Sequence, residues 1–176
     1  MGRRPGVQRA LSHIATLAQD AGEQVRSLSR RLHPPEWQRL SLEAAVQQLW
    51  DSSGVPQRFE AFLVVEPLPR EPEQAAKVLV YRAVQEALTN LVRHARASRV
   101  EMTLESRDDR VVLRIQDNGV GFDVARLLSG PANVSQGIGL RSIREQASSL
   151  GGELEIESGA GGTRLELLVP FELAPA

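Results

Sequence analysis

Residues 110–123 read RVVLRIQDNGVGFD. The pattern predicts a strand, Arg110–Asp117, that ends on a carboxylate and runs straight into Asn118-Gly119-Val120-Gly121-Phe122-Asp123. Two glycines directly after a strand-end carboxylate let backbone approach a ligand where a Cβ would stand in the way. The carboxylate can then accept a hydrogen bond from an exocyclic amine. Alone the stretch is ambiguous, because Asn-Gly is also a common turn.

Upstream, Arg107-Asp108-Asp109 reads as a hairpin turn joining this strand to another at Arg99–Ser106. Before that lies a long helix, about Glu73 to Ala95, preceded by a loop carrying Pro67, Pro69 and Pro72. Arg58 to Glu66 alternates as a strand, with Phe59, Ala61, Leu63 and Val65 on one face. Ser41-Leu42-Glu43-Ala44 has the form of a capped helix start, and that helix runs to about Trp50 before Ser52-Ser53-Gly54. Downstream, residues 118–139 form a long connection of the kind that usually carries function. A helix at Leu140–Leu150 closes on Gly151-Gly152. Strands at Glu153–Ser158 and Thr163–Val169 flank the turn Gly159-Ala160-Gly161-Gly162. The strands mostly alternate, which predicts a mixed sheet covered by helices on one face, an α+β two-layer sandwich.

The first 35 residues read differently. Leu11, Ile14, Ala18, Ala21, Val25, Leu28 and Leu32 follow a heptad spacing, which predicts a long N-terminal helix that packs along another helix. Six arginines stand there against Asp20 and Glu23, and Pro34-Pro35 stops the helix. A helix packing on its own domain is the alternative; a dimerisation seam is favoured because nothing downstream resembles an antiparallel mate.

Composition narrows the chemistry. The chain has 176 residues and no cysteine, which excludes disulfides, thiolate zinc sites and cysteine nucleophiles. Its three histidines, His13, His33 and His94, are far apart in sequence. With 21 basic and 22 acidic residues, net charge -1, and 4% aromatics, a nucleic-acid partner is not expected. Lys77 is the only lysine and sits in Ala76-Lys77-Val78, so a P-loop is excluded. No apolar run approaches the ~18 residues of a membrane helix, and Met1–Gly6 lacks the apolar segment of a secretory signal. The expected location is the cytoplasm.

On a helical wheel, Tyr81, Val84, Leu88, Leu91, Val92 and Ala95 fall within roughly 100° of arc, the stripe expected to cover the sheet. Glu86, Asn90, Arg93 and His94 share the opposite side, an ordered set of carboxylate, carboxamide, guanidinium and imidazole. A second glycine pair, Gly137-Ile138-Gly139-Leu140, leads into a helix, whose free N–H groups and dipole favour phosphate. Neither pair continues to the third glycine of a Rossmann fingerprint.

Taken together and in this order, these stretches resemble the nucleotide-binding boxes of the Bergerat-fold ATPases. Glu86–Ala95 is similar to the N box, Asp117–Asp123 to the G1 box, and Gly137–Leu140 to the G2 box. Gly161-Gly162-Thr163 with the following strand and Pro170 is similar to the closing element. Within that superfamily the chain resembles the sensor histidine kinases, particularly the short-lid group typified by nitrate sensors. The likeness extends over about residues 8–171, with Leu28–Pro35 similar to the end of the second dimerisation helix and its linker.

The resemblance implies an ATP-binding catalytic domain at 36–171, a remnant of the dimerisation domain at 1–35 and a tail at 172–176. It implies ATP and Mg²⁺ as cofactors. Asp117 would accept the adenine amine with support from Thr163, and Asn90 would help hold Mg²⁺. Arg93 and His94 would face the phosphates, where the family often has lysine at the position of Arg93. Gly119, Gly121, Gly137, Ile138, Gly139 and Leu140 would wrap the nucleotide, under a lid at residues 124–136. Glu86 would assist the phosphoacceptor. The implied reaction is transfer of the γ-phosphoryl group to a histidine on a dimerisation helix, then to a response regulator, with homodimerisation through the N-terminal helix. The chain departs from the complete family pattern in lacking a first dimerisation helix with a His-acidic pair: His13 is followed by Ile14. It therefore reads as a fragment without the upstream sensor or acceptor helix. A serine kinase of the anti-sigma type and a non-enzymatic nucleotide-dependent module are the alternatives.

Overall fold

The computed structural model describes residues 36–125 and 138–172. The heptad segment, most of the lid, Gly137 and the last four residues lie outside the described residues. The chain divides between Arg39 and Leu40, and the unit from Leu40 onward is described by itself.

Among the described residues, five strands form one mixed sheet: β1 (Glu60–Val65), β2 (Arg99–Arg107), β3 (Arg110–Asp117), β4 (Glu153–Gly159) and β5 (Gly162–Pro170). Their order is β1-β2-β3-β5-β4, with β1 parallel to β2 and the other pairs antiparallel. The helices are α1 (Leu42–Ser52), the short α2 (Val55–Arg58), α3 (Gln74–Asn90) and α4 (Ile138–Ser149). No helix among the described residues is long and apolar enough to cross a membrane. The α+β sandwich expected from the alternating strands is the fold observed.

Local chemistry accounts for the boundaries. The Ser41 Oγ accepts the Ala44 N–H at 3.2 Å, the capping bond expected at the start of α1. Asp108 and Asp109 both take positive φ, 49° and 59°, which turns β2 into β3 with the twist that tight hairpins require. Gly152 N–H returns to the Ala147 carbonyl at 2.8 Å and closes α4.

Three expectations need correction. The strand expected from Arg58 begins at Glu60, because Pro56 presets a helical turn at Val55–Arg58 and buries Val55. The helix expected to run to Ala95 is α-helical only to Asn90, and Leu91–Ala95 form a π turn. The buried side of α3 also differs from the expected stripe. It comprises Ala76, Leu79, Val80, Ala83, Val84, Ala87, Leu88 and, in the π turn, Leu91, whereas Tyr81, Val92 and Ala95 are only half-buried. α3 packs against α1, α4 and β5, so the arc removed from water is wider than a sheet alone requires, and alanines admit the neighbouring helices.

The core lies between helices and sheet and is centred on Leu42, Leu79, Met102, Leu113, Ile143, Leu167 and Phe171. Lys77 is buried there, and its ammonium pairs with Glu71 at 2.6 Å and donates to the Leu40 carbonyl. A buried charge so partnered holds the chain entry to α3 rather than a phosphate. The outer face of the sheet carries an ion-pair network. Arg114 bonds Glu105 and Glu166, both at 2.8 Å, and Arg107 and Arg164 reach Glu166 at 3.0 Å. Burial alone would raise the Glu166 carboxyl, but these three guanidinium groups hold it below the usual carboxylate range.

Candidate active site

A cleft of about 420 Å³ opens between the C-terminal half of α3 with its π turn, the ends of β3 and β5, and the start of α4. That volume falls within the range typical of small-molecule sites. Glu86, Asn90, Arg93, His94, Asp117, Gly121, Gly139, Leu140 and Thr163 all line it. Ile115, Phe122 and Leu165 add apolar wall. Gly119 is not on the lining; its N–H instead donates to Asp117 Oδ1 at 2.7 Å. Ile138 opens α4, and Gly137 lies outside the described residues.

Sheet register places the two base-facing candidates together. Asp117 on β3 is directly opposite Thr163 on β5. Burial raises the Asp117 carboxyl above the usual carboxylate range, against the opposing pull of the Gly119 and Thr163 N–H groups. A half-buried carboxylate with only backbone donors has capacity left for a ligand donor. Gly162 makes the close strand approach possible. Its φ is +116°, and a Cβ there would overlap the Asp117 carbonyl.

The second half of the site comes from helix spacing. Glu86 and Asn90 stand one turn apart on α3, and Asn90 Nδ2 donates to Glu86 Oε1 at 3.3 Å. The start of α4 lies against this pair, so closely that a Cβ on Gly139 would overlap the Glu86 carboxylate. Gly139→Ala should therefore leave the fold intact, since the obstructing group is the end of a flexible side chain, but displace Glu86. Misplacing a reacting group by about 1 Å can cost on the order of a hundredfold in rate. A melting curve near wild type, combined with a large loss of whatever chemistry the cleft performs, is the expected pair of results. Arg93 and His94 are exposed on the π turn at the cleft rim. Such turns recur at functional sites.

Two contributors escaped the sequence reading. Asn118 is not a plain turn residue: its Oδ1 accepts the Ser98 and Arg99 N–H groups, both at 2.9 Å, while Val120 N–H donates to the Ala95 carbonyl at 2.9 Å. The loop after β3 is thereby locked to the end of the π turn. Ser158 is the other, with its Oγ 2.8 Å from Thr163 Oγ1. A single asparagine or serine in a loop gives no periodic signal, so only the folded contacts disclose these roles.

Residues 75–173 match the model of the histidine kinase-, DNA gyrase B- and HSP90-like ATPases. The chain belongs to this ATPase family. The matched region contains every cleft-lining residue described above. Among curated relatives, it is 32% identical over 170 residues to the signal transduction histidine-protein kinase/phosphatase UhpB of Salmonella typhimurium, covering 94% of this chain and 32% of that protein. It is 33% identical over 153 residues to the sensor histidine kinase MctS of Rhizobium johnstonii, covering 84% and 32%. It is 30% identical over 170 residues to the sensor protein VraS of Staphylococcus aureus, covering 95% and 46%. The chain thus spans between about a third and a half of these relatives. Of solved structures, the blue-light activated histidine kinase EL346 of Erythrobacter litoralis superposes with a TM-score of 0.61 at 20% identity, over 96% of this chain and 61% of that one. At that identity the likeness supports the fold alone.

Proposed function

We infer that this ATPase-family chain is the ATP-binding catalytic portion of a sensor histidine kinase. The observation that carries the reading is that Asp117, Thr163, Glu86 and Asn90 line one cleft together with Gly139 and Leu140 from the start of α4. Similarity to sensor kinases extends beyond the ATPase region into the N-terminal segment, which supports a kinase over a serine-directed or non-catalytic relative.

In this reading Asp117 accepts the adenine amine, and Thr163 supports it. Gly121, where a Cβ would overlap the Gly159 carbonyl, lets the loop after β3 lie against the end of β4 beside the nucleotide. The N–H groups at the start of α4, from Ile138 through Gly139 and Leu140, together with Gly137, hold the phosphates. Arg93 and His94 add donors at the phosphate end. The nitrogen of the Asn90 carboxamide donates to Glu86, so its oxygen is the ligand it has to offer Mg²⁺. That fits an ion which accepts few protein oxygens beside phosphates and water. Mg²⁺ would neutralise charge on the transferring phosphoryl group. Glu86 polarises or takes the imidazole proton of the acceptor as its nitrogen attacks the γ-phosphorus and the bond to the bridging oxygen breaks, releasing ADP.

The acceptor histidine belongs to a dimerisation helix, residues 1–35 to the second helix of that hairpin and its linker, and 36–171 to the catalytic domain. A homodimer, a response regulator as the next acceptor and a cytoplasmic setting complete the proposal. Incubated with Mg²⁺ and labelled ATP, this chain should form little acid-labile phosphate alone, since His13 lacks an acidic neighbour. Adding a separate dimerisation hairpin from a related kinase should yield acid-labile phosphate on that hairpin. Acid-stable phosphate on serine would instead favour the anti-sigma type, and no transfer to either acceptor would contradict kinase function.

A further inference from the structure

Ser158, near the end of β4, takes no part in the mechanism above, yet its hydroxyl joins both walls beside Asp117. Its Oγ accepts the Phe122 N–H at 2.9 Å, lies 2.8 Å from Thr163 Oγ1 and lies 3.4 Å from the Gly162 carbonyl. Phe122 belongs to the loop that follows Asp117, and Thr163 stands opposite Asp117 on β5. One half-buried side chain therefore ties the loop to the neighbouring strand at the point where a base would sit.

A serine hydroxyl has one hydrogen and two lone pairs. One lone pair receives the Phe122 N–H. Either hydroxyl can donate across the 2.8 Å contact with Thr163; the Gly162 carbonyl at 3.4 Å is beyond a good O–H···O distance, so Thr163 Oγ1 is the acceptor within range of the Ser158 hydrogen. With Ser158 donating, Thr163 keeps its own hydrogen for the cleft. Asp117 then offers an acceptor beside a Thr163 donor, which acts directly or across one water. Adenine presents the complement, an amine donor next to a ring-nitrogen acceptor. Hypoxanthine presents the reverse, a carbonyl next to an N–H. We propose that Ser158 is a positioning residue for base selection: by donating to Thr163 it makes the Asp117–Thr163 pair selective for adenine over a base with the reversed edge. This rests on the ATP reading of the cleft.

The test is calorimetric titration of the whole chain with Mg²⁺–ATP and with Mg²⁺–inosine triphosphate. Wild type should favour ATP. Ser158→Ala should lose roughly tenfold of that preference, and Ser158→Thr should keep it within about twofold, because a lost buried hydrogen bond typically costs about one decade. Ser158→Cys, similar in size but a weak donor, should behave as the alanine variant does and serves if alanine impairs folding. A wild type that binds both nucleotides equally overturns the adenine reading of Asp117, and the role of Ser158 with it. A wild type that prefers ATP, with the preference intact in the alanine and cysteine variants, overturns Ser158 alone. Equal weakening of both nucleotides with an unchanged ratio does the same, since that would be a purely structural effect.

Discussion

Asp117→Asn should lower ATP affinity by about one to two decades while leaving the empty protein as stable as wild type or more so. The carboxylate is the acceptor proposed for the adenine amine, and hydrogen bonds to charged groups are worth about 1.5–3 kcal/mol. The stability half follows from the raised carboxyl of Asp117. A group whose folded-state pKa lies above its unfolded value favours the fold when protonated, and that contribution is lost as pH rises through the folded pKa. At neutral pH the ionised Asp117 therefore costs stability, a cost the neutral amide removes. By the same sign, ATP affinity should weaken on acidification, beginning above the usual aspartate range. Calorimetry gives the affinity and a melting curve gives the stability. A variant that loses both together would make Asp117 a structural residue.

Glu86→Gln should do the opposite kind of damage. ATP affinity should stay within a few-fold of wild type, while transfer to a supplied dimerisation hairpin should fall by about 10²–10⁴, the usual contribution of a positioned base. Glutamine retains the size of the side chain and its capacity to accept from Asn90, so the contact between α3 and the start of α4 is preserved. What it loses is the charge proposed to draw the imidazole proton. The adenine contact proposed for Asp117, on β3, should be left alone. Unchanged transfer would remove Glu86 from the mechanism, and lost ATP binding would recast it as a support for the phosphate end.

The sheet was largely legible because its signals are local. The Asp108-Asp109 turn, the carboxylate ending β3 and the glycine pair closing α4 each follow from one or two residues and the conformations they allow. The cleft was legible where helix periodicity applies: Glu86 and Asn90 are one α-helical turn apart, and the wheel places them correctly. Beyond Asn90 the period changes to that of a π turn, which residue types alone do not announce. The buried arc of α3 was drawn too narrow because Ala76, Ala83 and Ala87 carry little hydrophobic weight, although they decide how closely α1 and α4 approach. Asn118 and Ser158 were invisible for a different reason. Their partners, Ser98 with Arg99 and Phe122 with Thr163, are brought to them only by strand pairing.

The measurement that tests the central claim most directly is a crystal structure of this chain with Mg²⁺ and a non-hydrolysable ATP analogue. The account predicts the adenine amine within hydrogen-bond distance of the Asp117 carboxylate, with Thr163 beside the ring. It places the phosphates between the start of α4 and the Arg93–His94 turn, with Asn90 toward the metal. A nucleotide bound elsewhere on the molecule, or in this cleft with its base turned away from Asp117, would contradict it.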